Sequence, residues 1–370
     1  MKNDIHFKWS ILIAGILFVL GLWGCLAVYS ATMIEGVPFY FAGRQLLWLL
    51  TGMIALVVCA RIPFEFYSRN VMVLTVISLL ALLAVLPFGV KINGMRGWYS
   101  LGYLLVQPSE IVKPFFLLAL CHFALSVKSG WSRLLAMALI AAIWIVPIGL
   151  QPDFGTVAVY AAGLIMVYWL SGGAVKPLVS MAALGIISFC GVLLLKPYVW
   201  RRFEGFFNPQ ADPLGSGWHI LQFQFAMARG GVSGMSWGKA YWANCYLPLS
   251  HSDSVFAAMT EALGMAGVIP VILLFAFLIF AFSKLALHAD GAERRIFIAA
   301  FGGMTAVQAL IHVSVNVTIM PPTGLTLPVL SYGGSSLLAT MIGAGIAISA
   351  ATPKTGIISS WNRKSKTQKN

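Results

Sequence analysis

Asp253 closes the run Leu247-Pro248-Leu249-Ser250-His251-Ser252-Asp253, at the end of a long polar stretch and directly before an apolar one. A carboxylate at a water–lipid boundary is costly to keep there without a task. Two roles suit it: a general base whose proton affinity is tuned by burial, or the N-cap of the helix that follows. Glu261 lies eight residues on, about two helical turns away, so both carboxylates could face one cavity.

Other groups with chemical potential fall into clusters. Glu110 and Lys113, within Gln107-Pro108-Ser109-Glu110-Ile111-Val112-Lys113, are one turn apart and can pair on one helix face. The pair either locks a helix or holds a cation for an anionic headgroup. Pro108 suits a helix start, and Arg96 and Trp98 stand a little upstream. Asp153, in Gln151-Pro152-Asp153-Phe154-Gly155-Thr156, can cap a helix through the N–H of Gly155 or Thr156. Arg201 and Arg202 follow Trp200. The run Arg229-Gly230-Gly231-Val232-Ser233-Gly234 could present N–H groups to a phosphate, although a surface turn is the plainer reading. From Pro321 to Ser336, three prolines and three glycines forbid a regular helix. Irregular backbone at membrane depth survives only inside protein or beside a wet cavity, which predicts a cavity wall carrying Ser331 and Ser335.

The elements that position these groups are membrane spans. Of 370 residues, 59% are hydrophobic and 9% charged, against roughly a quarter charged in a soluble domain. Ten apolar runs, at about 9–30, 40–60, 71–90, 108–127, 134–150, 155–171, 177–196, 254–282, 296–318 and 335–351, predict an all-α polytopic protein of about ten transmembrane helices. The first run lacks a small-residue cleavage site and reads as a retained span. Residues 1–370 form one membrane domain. Residues 197–253 form a large outer loop between the seventh and eighth spans, rich in tryptophan and with a helix-like stretch at 217–226. A basic tail covers residues 352–370. With both termini cytoplasmic, 15 of the 24 basic residues fall on the cytoplasmic side. Topology thus accounts for most of the net charge of +13, and no nucleic-acid partner is needed. The cysteines and histidines show no disulfide framework and no metal-ligand spacing.

Taken in order, the motifs resemble the SEDS family (shape, elongation, division and sporulation) of FtsW/RodA/SpoVE type. The matching pieces are Gln107-Pro108-Ser109-Glu110 with Lys113, residues 151–156, Asp212-Pro213-Leu214-Gly215-Ser216-Gly217, Gly230-Gly231 with Gly234, Leu247-Pro248 with His251 and Asp253, and Pro328 with Ser331-Tyr332-Gly333-Gly334-Ser335-Ser336. The resemblance spans essentially the whole chain. It implies a peptidoglycan glycosyltransferase in the bacterial inner membrane that polymerises lipid II, an undecaprenyl-diphosphate-linked disaccharide-pentapeptide, at its outer face. It also implies partnership with a class B penicillin-binding protein, a transpeptidase, and with other divisome or elongasome membrane proteins. In this family the aspartate matching Asp253 deprotonates the acceptor 4-hydroxyl. The substrate-binding set expected around it is Lys113, Glu110, Arg96, Trp98, Arg201, Arg202, Asp153, His251, Glu261, Ser331 and Ser335. A divalent cation could assist the diphosphate, though no cluster demands one. Departures from the family pattern are Leu249 after Leu-Pro, Ser252 and Ser254 around the aspartate, Gly97 before the tryptophan and His312 in place of asparagine. Two other functions fit the same chain: a lipid II flippase, which needs cavity access from the cytoplasmic side, and a catalytically silent scaffold. The motifs do not separate a division role from an elongation role.

Overall fold

In lipid a backbone must satisfy its own hydrogen bonds, and the apolar runs accordingly form helices. The computed structural model describes residues 2–352 except 35, 93, 103, 128, 129 and 196. The basic tail therefore lies outside the described residues, apart from Thr352.

In chain order the elements are α1 (Lys2–Ala31), α2 (Pro38–Arg61), α3 (Phe64–Arg69), α4 (Val71–Phe88), β1 (Val90–Ile92), β2 (Met95–Leu101), β3 (Leu104–Val106), α5 (Pro108–Ile111), α6 (Lys113–Ala124), α7 (Trp131–Leu150), α8 (Phe154–Leu170), α9 (Val175–Leu195), α10 (Pro197–Phe207), α11 (Trp218–Gly230), α12 (Tyr241–Cys245), α13 (Val255–His288), α14 (Ala292–Asn316) and α15 (Gly334–Ala351). Seven of these, α1, α2, α4, α7, α13, α14 and α15, are long and apolar enough to cross a membrane, and α6, α8 and α9 are shorter apolar helices. Each expected span therefore has its helix. Among the described residues α14 and α15 are the most enclosed spans. α15 lies against α2 so closely that a Cβ on Gly345 would meet the Leu56 carbonyl at 2.5 Å, the small-residue contact by which membrane helices approach.

Three features depart from a plain bundle. The expected span 108–127 is interrupted at Val112, where α5 ends and α6 begins with Pro114 in its first turn. Between α4 and α5 lies a three-stranded antiparallel sheet, ordered β1-β2-β3, which the hydropathy pattern does not reveal. The loop 197–253 is itself largely helical, carrying α10, α11 and α12, and α11 packs along the start of α13.

α13 is two helices joined at Gly264, whose φ of 66° and ψ of −171° suit only glycine. The loop repairs the break. Met235 and Ser236 donate N–H bonds of 2.9 Å each to the carbonyls of Glu261 and Ala262, and Met265 and Ala266 donate to Gly231 and Val232 at 3.0 and 3.1 Å. This backbone seam explains the glycines of the 229–234 run. A Cβ at Gly230 would stand 2.0 Å from the Thr260 carbonyl, and one at Gly234 2.4 Å from that of Ala262. The run is a docking seam and not a phosphate loop. Beyond the break, residues 265–288 extend about 36 Å at 1.5 Å per residue, enough for one crossing. Residues 255–263 belong with the loop layer.

The connections sort into two ends. At one end Gln107 meets Ser335, Asn244 meets Ser30 and Ser331 meets Ser252. At the other, Arg294 pairs with Glu65, Ser68 donates to Glu293, and Arg133 donates to the Ser171 carbonyl.

Candidate functional site

The first end gathers most of the residues singled out by sequence. Ser254, not Asp253, occupies the N-cap position of α13, and no side-chain bond caps that helix. The Asp253 carboxylate is therefore not spent on the helix end. Its position is fixed from the backbone: Asn316 donates from Nδ2 to the Asp253 carbonyl at 3.0 Å and accepts the Ala257 N–H at 3.0 Å through Oδ1. Next door, the Ser331 hydroxyl donates to the Ser252 carbonyl at 2.7 Å and accepts the Leu327 N–H, while the Tyr332 N–H donates to the His251 carbonyl at 2.8 Å. Two loops, 248–254 and 317–333, are thus sewn together around one carboxylate.

That carboxylate faces the irregular segment. Among the described residues, its chain neighbours aside, the one heavy atom within 4 Å of a Cβ added at Gly324 is Asp253 Oδ2, at 3.5 Å. Arg202 reaches over the same segment and donates to the Pro322 carbonyl at 3.4 Å. Protein crowds Asp253, and burial pushes its carboxyl up to about 6; the Asp153 charge adds to that rise, while the Ser252 hydroxyl and Arg202 oppose it.

Asp153 does cap α8. Its Oδ1 accepts the Thr156 N–H at 3.0 Å, and its Oδ2 accepts from Gln107 Nε2 at 3.1 Å. Burial raises its pKa against the Thr156 bonds, with Glu110 raising and Lys113 lowering it further. Lys113 pairs with Glu110 at 2.6 Å and donates to Gln308 Oε1 at 2.7 Å, and Gln308 in turn donates to the Thr326 carbonyl at 3.0 Å. Both members of the pair are buried. A buried ion pair with matched hydrogen bonds holds a charge ready without exposing it to lipid. Ser335 accepts the Gln107 N–H at 2.9 Å, which ties α15 to the same cluster.

The remaining expected residues divide. The His251 ring lies between Phe41, at 4.9 Å, and Tyr332, at 5.3 Å; burial lowers its pKa, so it is neutral near pH 7. Arg201 and Arg202 line an open cleft of about 520 Å³ with Glu204, Asn208 and Asp212. Arg96 is exposed on β2 and donates to the Leu86 carbonyl, and Trp98 is half-buried on the same strand. Glu261 is fully buried, and its oxygens accept from Arg229 Nε at 3.0 Å, Trp242 N at 3.0 Å and Ala243 N at 2.6 Å. The structure thus brings Glu261 to the loop helices, where it anchors α12, and not to a cavity shared with Asp253. Three departures also find places. Leu249 takes a left-handed φ of 49°, Ser254 donates to the Pro248 carbonyl, and His312 donates through Nδ1–H to the Leu325 carbonyl.

Several buried side-chain atoms near this cluster have no hydrogen-bond partner: Ser109 Oγ, Gln151 Oε1, His251 Nδ1, Thr323 Oγ1, Thr326 Oγ1 and Ser336 Oγ. Buried polar atoms ordinarily find partners. Those of His251, Thr323 and Thr326 lie on the two loops sewn together around Asp253, and offer polar groups to a ligand there. Among the described residues no group of three or more His, Cys, Asp or Glu side chains converges to hold a metal ion.

Sequence reasoning missed Gln308 and Asn316, although a signal was present. Residues 308, 312 and 316 repeat every four positions along one face of an apolar span, and polar residues inside a membrane rarely lie idle.

The FtsW/RodA/SpoVE family of cell cycle proteins matches residues 8–355. The chain belongs to this family. It is 32% identical to the stage V sporulation protein E of Bacillus subtilis over 342 residues, covering 89% of this chain and 93% of that protein. It is 31% identical to a probable peptidoglycan glycosyltransferase FtsW of Escherichia coli O6:H1, covering 87% of this chain and 80% of the relative. Among solved structures, a chain of a peptidoglycan synthase complex that coordinates polymerization and crosslinking superposes with a TM-score of 0.76 at 30% identity, covering 93% of this chain and 97% of that one. The rod shape determining protein RodA of Thermus thermophilus superposes with a TM-score of 0.68 at 26% identity, covering 93% and 96%. Like them, this SEDS protein is a polytopic helical membrane protein.

Proposed function

We propose that this SEDS protein polymerises lipid II into glycan strands at the outer face of the bacterial inner membrane, with Asp253 as general base. Peptidoglycan glycosyl transfer is the activity named for its relatives. The observation that carries the residue assignment is Asp253 itself: uncommitted to the helix cap, raised by burial to about 6 so that it is a stronger base than a free carboxylate yet ionised at neutral pH, and flanked by Arg202. A base works best when its pKa lies near the operating pH.

In the step proposed, Asp253 removes the proton of the acceptor 4-hydroxyl as that oxygen bonds the donor anomeric carbon. The bond from that carbon to the lipid diphosphate breaks, and the diphosphate leaves with the electron pair. Arg202 stands where leaving charge develops, and Lys113, neutralised by Glu110, steadies the irregular segment through Gln308 and the Thr326 carbonyl. The orphaned hydroxyls of Thr323, Thr326 and Ser336 suit sugar hydroxyls. Glycan strands made here would pass to a class B penicillin-binding protein for crosslinking, in line with the synthase complex this fold resembles.

The test is polymerisation of purified lipid II. Asp253→Asn keeps shape and loses the base, and is expected to lower the rate by at least about 10²-fold, with an unchanged elution profile. Full polymerisation by Asp253→Asn would overturn the assignment.

A further inference from the structure

Glycosyl transfer between two lipid-linked sugars brings two diphosphates to one site. This inference rests on the polymerase reading above. The donor's diphosphate is attached to the reacting carbon and must lie beside Asp253. The acceptor's diphosphate is two sugar rings away from the attacking 4-hydroxyl, and needs a cation at that remove.

Arg202 satisfies the first requirement. It bonds the Pro322 carbonyl beside Gly324, which abuts Asp253 Oδ2. A second flank leads away from the aspartate through His251. The His251 ring meets Tyr332 at 5.3 Å and Phe41 at 4.9 Å, and Phe41 meets Tyr332 at 5.4 Å. Phe41 also meets Tyr40 edge-on at 5.4 Å, and Arg44 stands one turn further along α2. Its Nη1 donates to the Tyr40 hydroxyl at 2.7 Å, and its guanidinium lies 5.3 Å over the Tyr40 ring. The next residue, Gln45, donates to the carbonyls of Val329 and Ser331 at 3.3 and 3.0 Å, which holds this turn of α2 against the segment carrying Tyr332.

We propose that Arg44, held by Tyr40 and one turn from the Phe41–Tyr332 contact, binds the diphosphate of the acceptor substrate, on a flank distinct from the Arg202 side where the donor diphosphate departs. Three arguments carry it. A planar five-donor guanidinium matches phosphate oxygens in a bidentate way. The Tyr40 bond and ring stacking fix that plane in advance, which lowers the ordering cost of binding. The location is the membrane-interface turn of an apolar span, where the diphosphate of a lipid anchored by its chain must lie. The Tyr40 bond holds Arg44 near the start of α2, the helix that carries Phe41 against the His251 ring.

The experiment uses the purified full-length protein and separates donor from acceptor. The donor is lipid II blocked at its 4-hydroxyl. Two acceptors that cannot donate are compared: one carrying a non-hydrolysable diphosphonate lipid, the other a methyl glycoside in its place. Wild type should prefer the diphosphonate acceptor. In Arg44→Ala the ratio of kcat/KM for the two acceptors should fall roughly tenfold, the loss of a charge-assisted contact, while KM for the blocked donor stays put. Arg44→Lys keeps a point charge and should restore part of the ratio; it also serves if Arg44→Ala fails to fold. An unchanged acceptor ratio in a folded Arg44 variant, or a rise confined to the donor KM, overturns the inference while leaving the polymerase intact. If wild type transfers to neither acceptor although it polymerises lipid II, the acceptor assignment also falls. If it polymerises nothing, the parent reading falls first.

Discussion

Asp253 gives up its proton near pH 6, and its neighbours set that value. As a base it must be ionised, so polymerisation should rise through about pH 6 and level off above. Removing the Asp153 charge with Asp153→Asn should move this acid limb to lower pH, and Arg202→Ala should move it up. Rate–pH profiles of the two variants check the pair; shifts in one common direction would refute the coupling. Stability runs the other way. The folded state holds the Asp253 proton more tightly than the unfolded chain, whose value is 3.8. The group's contribution to stability is therefore complete below about pH 4 and is lost as pH rises through about 6. Asp253→Asn, which cannot ionise, should raise stability at pH 7.5 by about 1–3 kcal/mol and raise the melting temperature in detergent. Loss of activity with gain of stability distinguishes a functional carboxylate from a structural one.

At the scale of elements, the seam between loop residues 231–236 and the two halves of α13 is the least forgiving feature. Gly234 has a φ of 73° and no room for a methyl group. Gly234→Ala should cost about 2–4 kcal/mol, read as a lower melting temperature. Gly185→Ala on α9, with nothing within 4 Å of the new methyl, should be neutral or slightly stabilising. The spans themselves were legible because lipid permits one solution, and apolar length reports it directly. So was the pairing of Glu110 with Lys113 and the cap at Asp153, since helical spacing decides both. What the sequence hid depends on contacts far apart in the chain. Nothing local to Glu261 says that its oxygens will take the N–H groups of Trp242 and Ala243. The short sheet 90–106 carries too few residues for a clear alternation, and a glycine run reads alike whether it meets phosphate or another backbone. Gln308 and Asn316 were readable in principle, by their four-residue spacing.

Across the whole molecule, the two ends differ in kind. The Asp253 end has irregular backbone, orphaned hydroxyls and layered loop helices; the opposite end is closed by Arg294, which pairs with Glu65 and bonds the carbonyls of Ala350 and Thr352. From the excess of basic residues at the Arg294 end, we propose that this end faces the cytoplasm. Cys245, exposed in the loop layer, then faces outward. In a variant retaining only this cysteine, a membrane-impermeant maleimide should label intact spheroplasts; labelling that requires permeabilisation would invert the orientation. A flippase would need polar access at both ends, and the Arg294 closure favours chemistry at one.

The α13 seam is written entirely in main-chain atoms. Four amide-to-carbonyl links hold it, and no side chain takes part in them. Relatives could therefore exchange the side chains at 232, 233 and 235 without loosening the joint, whereas a single added carbon at Gly230, Gly231, Gly234 or Gly264 would pry it open. Saturation mutagenesis of residues 230–236 and 264 should return tolerance punctuated by intolerance at Gly230, Gly231, Gly234 and Gly264, a spacing that identifies the joint without any structure in hand.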